Sequence, residues 1–255
     1  MGSVRLKSED TIYYTMVEGE PGRPCLVFLH EALGCSALWR SFPEKLCRAT
    51  GCSGLLYDRA GFGRSGGNRK KRTVNYLHSS ALVELPEILD ALIPGRPYIL
   101  VGHSDGASIS LMFGSERPAL LKGIVSEAAH VFVERKTVEG IRETIVRYEQ
   151  KELAGLYKYH GEKTDRVFYD WCHTWTSNWF SSWNIEYLLP SINVPLLVIQ
   201  GDDDQFATEK QVESIVAGTS GNATSMLIKG CGHFPHLEQP ELLLETMGRF
   251  VKLLL

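Results

Sequence analysis

The sequence predicts an α/β fold with a mostly parallel, doubly wound sheet, and three observations carry that expectation. Short apolar runs recur at Cys25–Leu29, Gly54–Tyr57, Tyr98–Val101, Leu121–Val125, Pro195–Ile199 and Thr224–Ile228. The first has the length and continuity of a strand buried on both faces, and the others read as further strands. Between most of them lie stretches with apolar residues at three- and four-residue steps, the helical crossovers that parallel neighbours require and that wind right-handed. From about 128 to 190 no buried-strand run occurs, while 137–159 reads helical and 168–183 is strongly aromatic. The expected organisation is a core of 1–127 and 191–255 carrying a helical cap, 128–190, over the strand ends.

Residues 4–18 alternate loosely and suggest a pair of edge strands leading into the turn-rich Gly19–Gly22 stretch. Residues 39–50 have a helical pattern after the first buried run. Val74, Leu77, Ala81, Leu85, Ile88 and Leu92 form the apolar face of a helix over 74–93 that Pro86 should kink, because proline supplies no N–H and crowds the preceding turn. After the strand at 98–101, residues 104–116 place Ala107, Leu111 and Met112 on one helical face, and the closing helix aligns Leu243, Met247, Phe250 and Leu254.

A chain of 255 residues with 44% hydrophobic content suffices for one sizeable core with an insert. A net charge of −3 makes no case for nucleic acid or a membrane surface as a partner, and no apolar run is long enough to span a bilayer. Met1–Lys7 lacks the apolar segment of a secretory signal, so a cytoplasmic location is expected and the acceptor pattern Asn222-Ala223-Thr224 is discounted. Six cysteines are scattered without the close pairs of a zinc site, and buried free thiols are expected. The run Arg69, Lys70, Lys71, Arg72 reads as a solvated loop, with a landing site for a phosphate-bearing carrier as the functional alternative.

The chemistry centres on Gly102-His103-Ser104-Asp105-Gly106, where the strand 98–101 turns into a helix. A serine at such a turn is held in a strained conformation, and the strand and helix approach so closely that the positions two before and two after it require glycine or another small residue. A serine hydroxyl needs a base to take its proton and a third group to orient that base. Gly201-Asp202-Asp203-Asp204 and Gly232-His233-Phe234-Pro235-His236 both follow predicted strands, so an acid and a histidine fall at the same sheet edge as Ser104.

Serine, aspartate and histidine in this chain order, behind a glycine-x-serine-x-glycine turn, resemble the α/β-hydrolases and their serine-nucleophile, esterase-like branch. His30-Glu31-Ala32-Leu33-Gly34 is similar to that family's oxyanion loop, Asp58–Ser65 to its aspartate-x-x-glycine-x-glycine-x-serine turn, and Gly232–Glu241 to its histidine loop. The likeness runs from about residue 10 to the end. It implies Ser104 as nucleophile, His233 as general base and then acid, Asp204 as the orienting acid with Asp203 as runner-up, and the backbone N–H groups of Ala32 and Asp105 as the oxyanion hole. The chain departs from the pattern at Glu31, where many relatives carry glycine. His30, His103 and His236 also fall near the site and read as hydrogen-bonded structure.

The expected activity is hydrolysis of a carboxylic ester or related acyl bond of a small molecule, without cofactor or metal. A serine at the turn disfavours the chemistry that this fold performs with a carboxylate nucleophile. Carbon–carbon bond hydrolysis by the same triad is the runner-up, and a ligand receptor with slow or no turnover is the alternative of a different class. Trp171, Trp175, Trp179 and Trp183 stand four apart. On a continuous helix they make one slowly wrapping stripe, from which Trp175 or Trp179 is expected to wall the substrate pocket.

Overall fold

The structure, a computed structural model, describes residues 1–67 and 71–255. Among these residues the strands β1 (Gly2–Arg5), β2 (Thr11–Val17), β3 (Cys25–Leu29), β4 (Ser53–Tyr57), β5 (Tyr98–His103), β6 (Leu121–Glu127), β7 (Leu196–Gly201) and β8 (Ala223–Ile228) form one sheet in the order β1-β2-β4-β3-β5-β6-β7-β8. Pairing is antiparallel from β1 to β2 and from β2 to β4, and parallel everywhere else. The helices are α1 (Phe42–Thr50), α2 (Tyr76–Ser79), α3 (Leu85–Leu92), α4 (Asp105–Ser115), α5 (Arg135–Glu149), α6 (Tyr157–His160), α7 (Thr164–Trp175), α8 (Lys210–Gly218), α9 (Pro235–Glu238) and α10 (Pro240–Lys252). No helix among the described residues is long and apolar enough to cross a membrane.

The continuous apolar runs are explained by a core on each face of the sheet. Successive side chains of a strand point to opposite faces. Val27, Leu29 and Leu100 therefore pack with Leu85 and Ile88 of α3 and Met112 of α4. Their neighbours Leu26, Phe28, Ile99 and Val101 pack with Leu46 of α1 and with Leu243 and Met247 of α10. Burial of each such side chain is worth about 1.5–3 kcal/mol, so a polar residue at either parity is costly. All six cysteines are buried and free, as their spacing suggested.

Three helices differ from their sequence-based outlines. The pattern over 39–50 divides into a 3₁₀ turn, Ser36–Trp39, and α1, because Arg40 takes φ 53° between them and Pro43 suits the first turn of a new helix. The helix expected over 74–93 is interrupted by a π-helical turn, Ser80–Glu84, immediately before α3. Pro86 cannot donate into the preceding turn, and the wider turn accommodates the missing bond.

The third difference matters for the tryptophans. Helix α7 stops at Trp175 because Thr174, Thr176 and Ser177 turn their hydroxyls onto the carbonyls of Asp170, Cys172 and Thr174. Such back-bonding competes with helix propagation. Trp171 and Trp175 therefore share a helix, while Trp179 and Trp183 lie in the following turns, and the four-residue stripe is not formed. Of the basic run, Arg69 and Lys70 lie outside the described residues. Arg72 stacks over the ring of Tyr76, 4.5 Å from its centroid.

Candidate active site

Ser104 stands between β5 and α4 with φ 53° and ψ −117°. A backbone in this region costs about 1–3 kcal/mol and persists only where its surroundings over-determine it. Here they do. The Ser104 N–H donates to Glu127 O (2.8 Å), and its carbonyl accepts from the N–H groups of Ala107 and Ser108. A Cβ on Gly102 would lie 2.4 Å from Gly106 O, and one on Gly106 would lie 2.1 Å from Leu29 O, so both glycines are required by close approach of backbones.

Asp204 follows β7 and His233 follows β8. The Asp204 carboxylate receives His233 Nδ1 at 2.9 and 3.0 Å and the Phe206 N–H at 2.8 Å. Burial by itself would raise the Asp204 carboxyl, but the imidazole of His233 and these hydrogen bonds outweigh it and hold the group below its ordinary value. An ionised Asp204 accepts, so His233 carries its proton on Nδ1 and keeps a lone pair on Nε2. Asp202 and Asp203 are both exposed, and Asp202 accepts the N–H of Gly230. Asp204 is thus the residue of the three that meets the imidazole.

Ser104 and His233 line one cavity of about 260 Å³ together with Ala32 and Asp105. Its other walls come from β-strand ends and from the helical segment, including His130, Ile141 and Thr144, the leucines 153 and 156, Trp171 and Trp175. The Ala32 N–H has no acceptor among the described residues. The Asp105 N–H opens α4 and belongs to the unpaired donors that every helix N-terminus carries. Trp175 therefore sits where the sequence placed a pocket wall. Trp179 does not: its ring is 48% exposed and lies outside the cavity, a consequence of α7 ending four residues earlier.

The side chain of Asp105 does more than its sequence position disclosed. Its Oδ2 meets Arg59 Nη2 at 3.4 Å and the Tyr76 hydroxyl at 3.3 Å, and Tyr76 in turn accepts from Trp175 Nε1 at 2.9 Å. Arg59 Nη2 also donates to Glu31 O at 3.0 Å. One buried guanidinium thus joins the loop of Ala32 to the turn of Ser104, and a tyrosine extends the connection to the cavity wall. Arg59 and Tyr76 had no distinguishing signal in the sequence, since only the fold brings residues 31, 59, 76, 105 and 175 together.

The remaining histidines are hydrogen-bonded. His30 Nε2 accepts the Arg59 N–H (3.0 Å), so Nδ1 carries the proton and donates to Glu31 O (2.7 Å). Burial, reinforced by the Arg59 charge, pushes the His30 pKa down to about 3. His103 Nε2 donates to His233 O at 2.7 Å, and its Nδ1 lies 3.7 Å from Glu31 Oε2. Glu31 therefore faces His103 more directly than His233. Although burial opposes it, His103 draws the Glu31 carboxyl down to about 2.

His236 donates from Nδ1 to Glu127 Oε1 at 2.8 Å. His103, Glu127 and His236 are the one group among the described residues with a metal-binding donor set. Their contacts to His233 O and to each other make them a hydrogen-bonded support under the His233 loop. The Asp58 turn has a similar role, its carboxylate accepting the N–H groups of Ser36 and Arg64. The helical segment docks on the same loops: His160 bridges the Gly63 N–H and Leu33 O, and Lys163 donates to Gly63 O and Ser65 O.

A mostly parallel sheet, a strained serine between strand and helix, and a buried Asp–His pair at the next strand ends define an α/β-hydrolase arrangement. The chain belongs to the alpha/beta hydrolase family, whose model matches residues 26–246, and it is an enzyme. It is similar to the 2-succinyl-6-hydroxy-2,4-cyclohexadiene-1-carboxylate synthase of Salmonella agona (strain SL483), at 27% identity over 158 residues. That match spans 60% of this chain and 55% of the relative, so it reaches about half the relative's length. Against the synthase of the same name from Salmonella paratyphi B the identity is 23%, covering 92% of this chain and 96% of that protein. Among solved structures, an esterase from Exiguobacterium antarcticum superposes with a TM-score of 0.77 at 18% identity, covering 99% of this chain and 100% of the other. The enol-lactonase from Burkholderia xenovorans LB400 gives 0.73 at 16% identity, covering 98% and 99%. At such identities the structural likeness speaks to the fold.

Proposed function

We propose that this enzyme hydrolyses a carboxylic ester or related acyl bond of a small molecule through Ser104, His233 and Asp204, with 128–190 serving as its cap. Ser104 Oγ attacks the carbonyl carbon while its proton passes to His233 Nε2. The alkoxide oxygen is held by the N–H groups of Ala32 and Asp105, a contribution of about 3 kcal/mol per donor in comparable sites. The intermediate collapses to an acyl-enzyme as His233 returns the proton to the departing alcohol. Water then attacks, His233 takes its proton, and collapse releases the acid and restores the Ser104 hydroxyl.

The observation that carries this reading is the buried Asp204–His233 pair opening onto the same cavity as a serine held at φ 53°. The test combines labelling by a fluorophosphonate with turnover of a simple ester. Ser104→Ala should abolish labelling and turnover together, and Asp204→Asn should lower kcat by about 10⁴-fold, as loss of the correct tautomer does elsewhere. Asp203→Asn should stay close to wild type. Normal turnover by Ser104→Ala would remove the mechanism, and labelling without repeated turnover would favour a receptor.

The named relatives supply a second reading, formation of the cyclohexadiene carboxylate in their name, supported by alignment over 96% of one of them. Charge separates the two readings. The named compound bears a carboxylate and a succinyl group, whereas the Glu31 carboxylate lines this cavity and the lining cations, Arg40 and Arg147, are exposed.

A further inference from the structure

We propose that the cavity takes an uncharged, apolar acyl group of intermediate length, and that Glu31 is the residue that turns away acyl groups ending in a carboxylate. The proposal deepens the serine-hydrolase reading and rests on it. Three features of the cavity carry it: its walls, its size and the sign of its charge.

Much of the lining is apolar, including Ile141, the leucines 153 and 156, Trp171 and Phe206. The hydrogen-bond donors of four polar residues in this lining are spent inside the protein. Thr137 Oγ1 donates to Phe206 O at 2.6 Å, Thr144 Oγ1 to Gly140 O at 2.8 Å, His130 Nε2 to Phe206 O at 3.1 Å, and Trp175 Nε1 to the Tyr76 hydroxyl at 2.9 Å. A polar substrate group placed against this lining gives up water and finds those partners engaged, a loss of about tenfold or more in binding. A volume of about 260 Å³ lies just under the roughly 300–1,000 Å³ of pockets for drug-sized ligands, which leaves room for an acyl chain of several carbons.

Glu31 immediately precedes the oxyanion donor Ala32 and lines the cavity with its side chain 12% exposed. The loop makes room for it, since a Cβ on Gly34 would lie 2.1 Å from its carboxylate. His103 at 3.7 Å is its nearest imidazole, and the charge of Asp105 is already met by Arg59. The cations that line the cavity, Arg40 and Arg147, are both exposed, and Arg147 is paired with Glu152 at 2.9 Å. An acyl carboxylate near the scissile bond therefore meets a like charge in a partly dry space, where repulsion is weakly screened.

The experiment compares p-nitrophenyl hexanoate, 6-aminohexanoate and monoadipate, three six-carbon acyl groups that differ in charge, together with a neutral series from acetyl to dodecanoyl. We expect kcat/KM to peak between butyryl and octanoyl. Hexanoate should exceed both charged esters, with adipate lowest by about 100-fold, and Glu31→Gln should raise the adipate-to-hexanoate ratio about tenfold while Glu31→Asp leaves it near wild type. The ratio is insensitive to the fraction of active protein. A comparison needing no variant is inhibition of the wild type by pentylboronic and 4-carboxybutylboronic acids, the latter expected to bind about 100-fold more weakly. Preference for adipate, preference for the amino ester, or a ratio unmoved by Glu31→Gln would each overturn the proposal. If no ester is turned over and Ser104 resists a fluorophosphonate, the serine-hydrolase reading falls with it; labelling with turnover but the opposite charge ranking removes only this inference.

Discussion

Arg59 is 2% exposed, and through one nitrogen it holds both the carbonyl of Glu31 and the carboxylate of Asp105. Glu31 precedes one of the N–H groups proposed for the oxyanion hole and Asp105 carries the other, so the spacing of the donors depends on a guanidinium outside the cavity lining. Lysine keeps the charge but puts it on a flexible stem as a strongly hydrated ammonium, without the rigid planar donor geometry that holds this nitrogen between its two acceptors. Arg59→Lys is expected to lower kcat by about 10–100-fold, less than the roughly 10²–10³-fold loss of an oxyanion donor itself, while KM moves less than threefold. A double-mutant cycle with Asp105→Asn should be strongly non-additive, because both changes remove the same link. A rise in KM with kcat unchanged would place Arg59 in substrate binding.

Among the elements, α7 decides which of the four evenly spaced tryptophans line the cavity. Its hydroxyl-bearing C-terminus stops the helix at Trp175, whose ring is 3% exposed and whose N–H is fixed by Tyr76. Trp179 is left on the surface. Trp175→Ala should shift the acyl preference toward bulkier groups and cost about 3–5 kcal/mol of stability, as truncation of a buried tryptophan does. Trp179→Ala should alter neither. Relative turnover over the acyl series, measured beside each melting temperature, checks both expectations; parallel loss of activity and stability with an unchanged ranking would make Trp175 packing alone.

Across the whole molecule, buried imidazoles set the acid limit of stability. His30, His130 and His160 are all held below the ordinary histidine range, burial being the largest cause in each. His30 has fallen to about 3 and accepts a backbone N–H, so the folded protein keeps it neutral while the unfolded chain takes up a proton below about 6.5. The unfolded state then binds more protons, and stability falls as pH drops from 6.5 toward 3. His30 alone should remove about 2 kcal/mol by pH 5. Glu31, held at about 2, loses its contribution only as pH falls below the unfolded value near 4.5. Burial raises the Glu84 carboxyl, which by the same linkage favours the folded state on acidification and offsets part of the loss. Urea midpoints measured from pH 7.5 to 5 should therefore decline before Glu31 titrates, and a flat profile over that window would show the imidazoles to be without net influence.

The fold class was legible in the sequence because buried parallel strands need continuous apolar runs, and Cys25–Leu29 coincides with β3 residue for residue. The turn at Ser104 was equally legible: glycine at 102 and 106 records a backbone approach that no side chain survives. The residues alone left three adjacent aspartates after β7, the family resemblance pointed to Asp204, and the structure shows Asp204 bonded to His233. Local composition also told where Pro86 would disturb a helix, though not that a π turn would absorb it. What tertiary structure alone decided was which distant groups share a hydrogen bond. The line from Trp175 through Tyr76 and Asp105 to Arg59 and Glu31 joins five separate segments, and the exposure of Trp179 follows from hydroxyls capturing carbonyls at the end of α7. Periodicity and spacing report what a residue does to its own stretch of chain. Partnership between stretches is set by the packing of the sheet and its cap, in which each polar group forced from water must find whichever partner the fold has carried within reach.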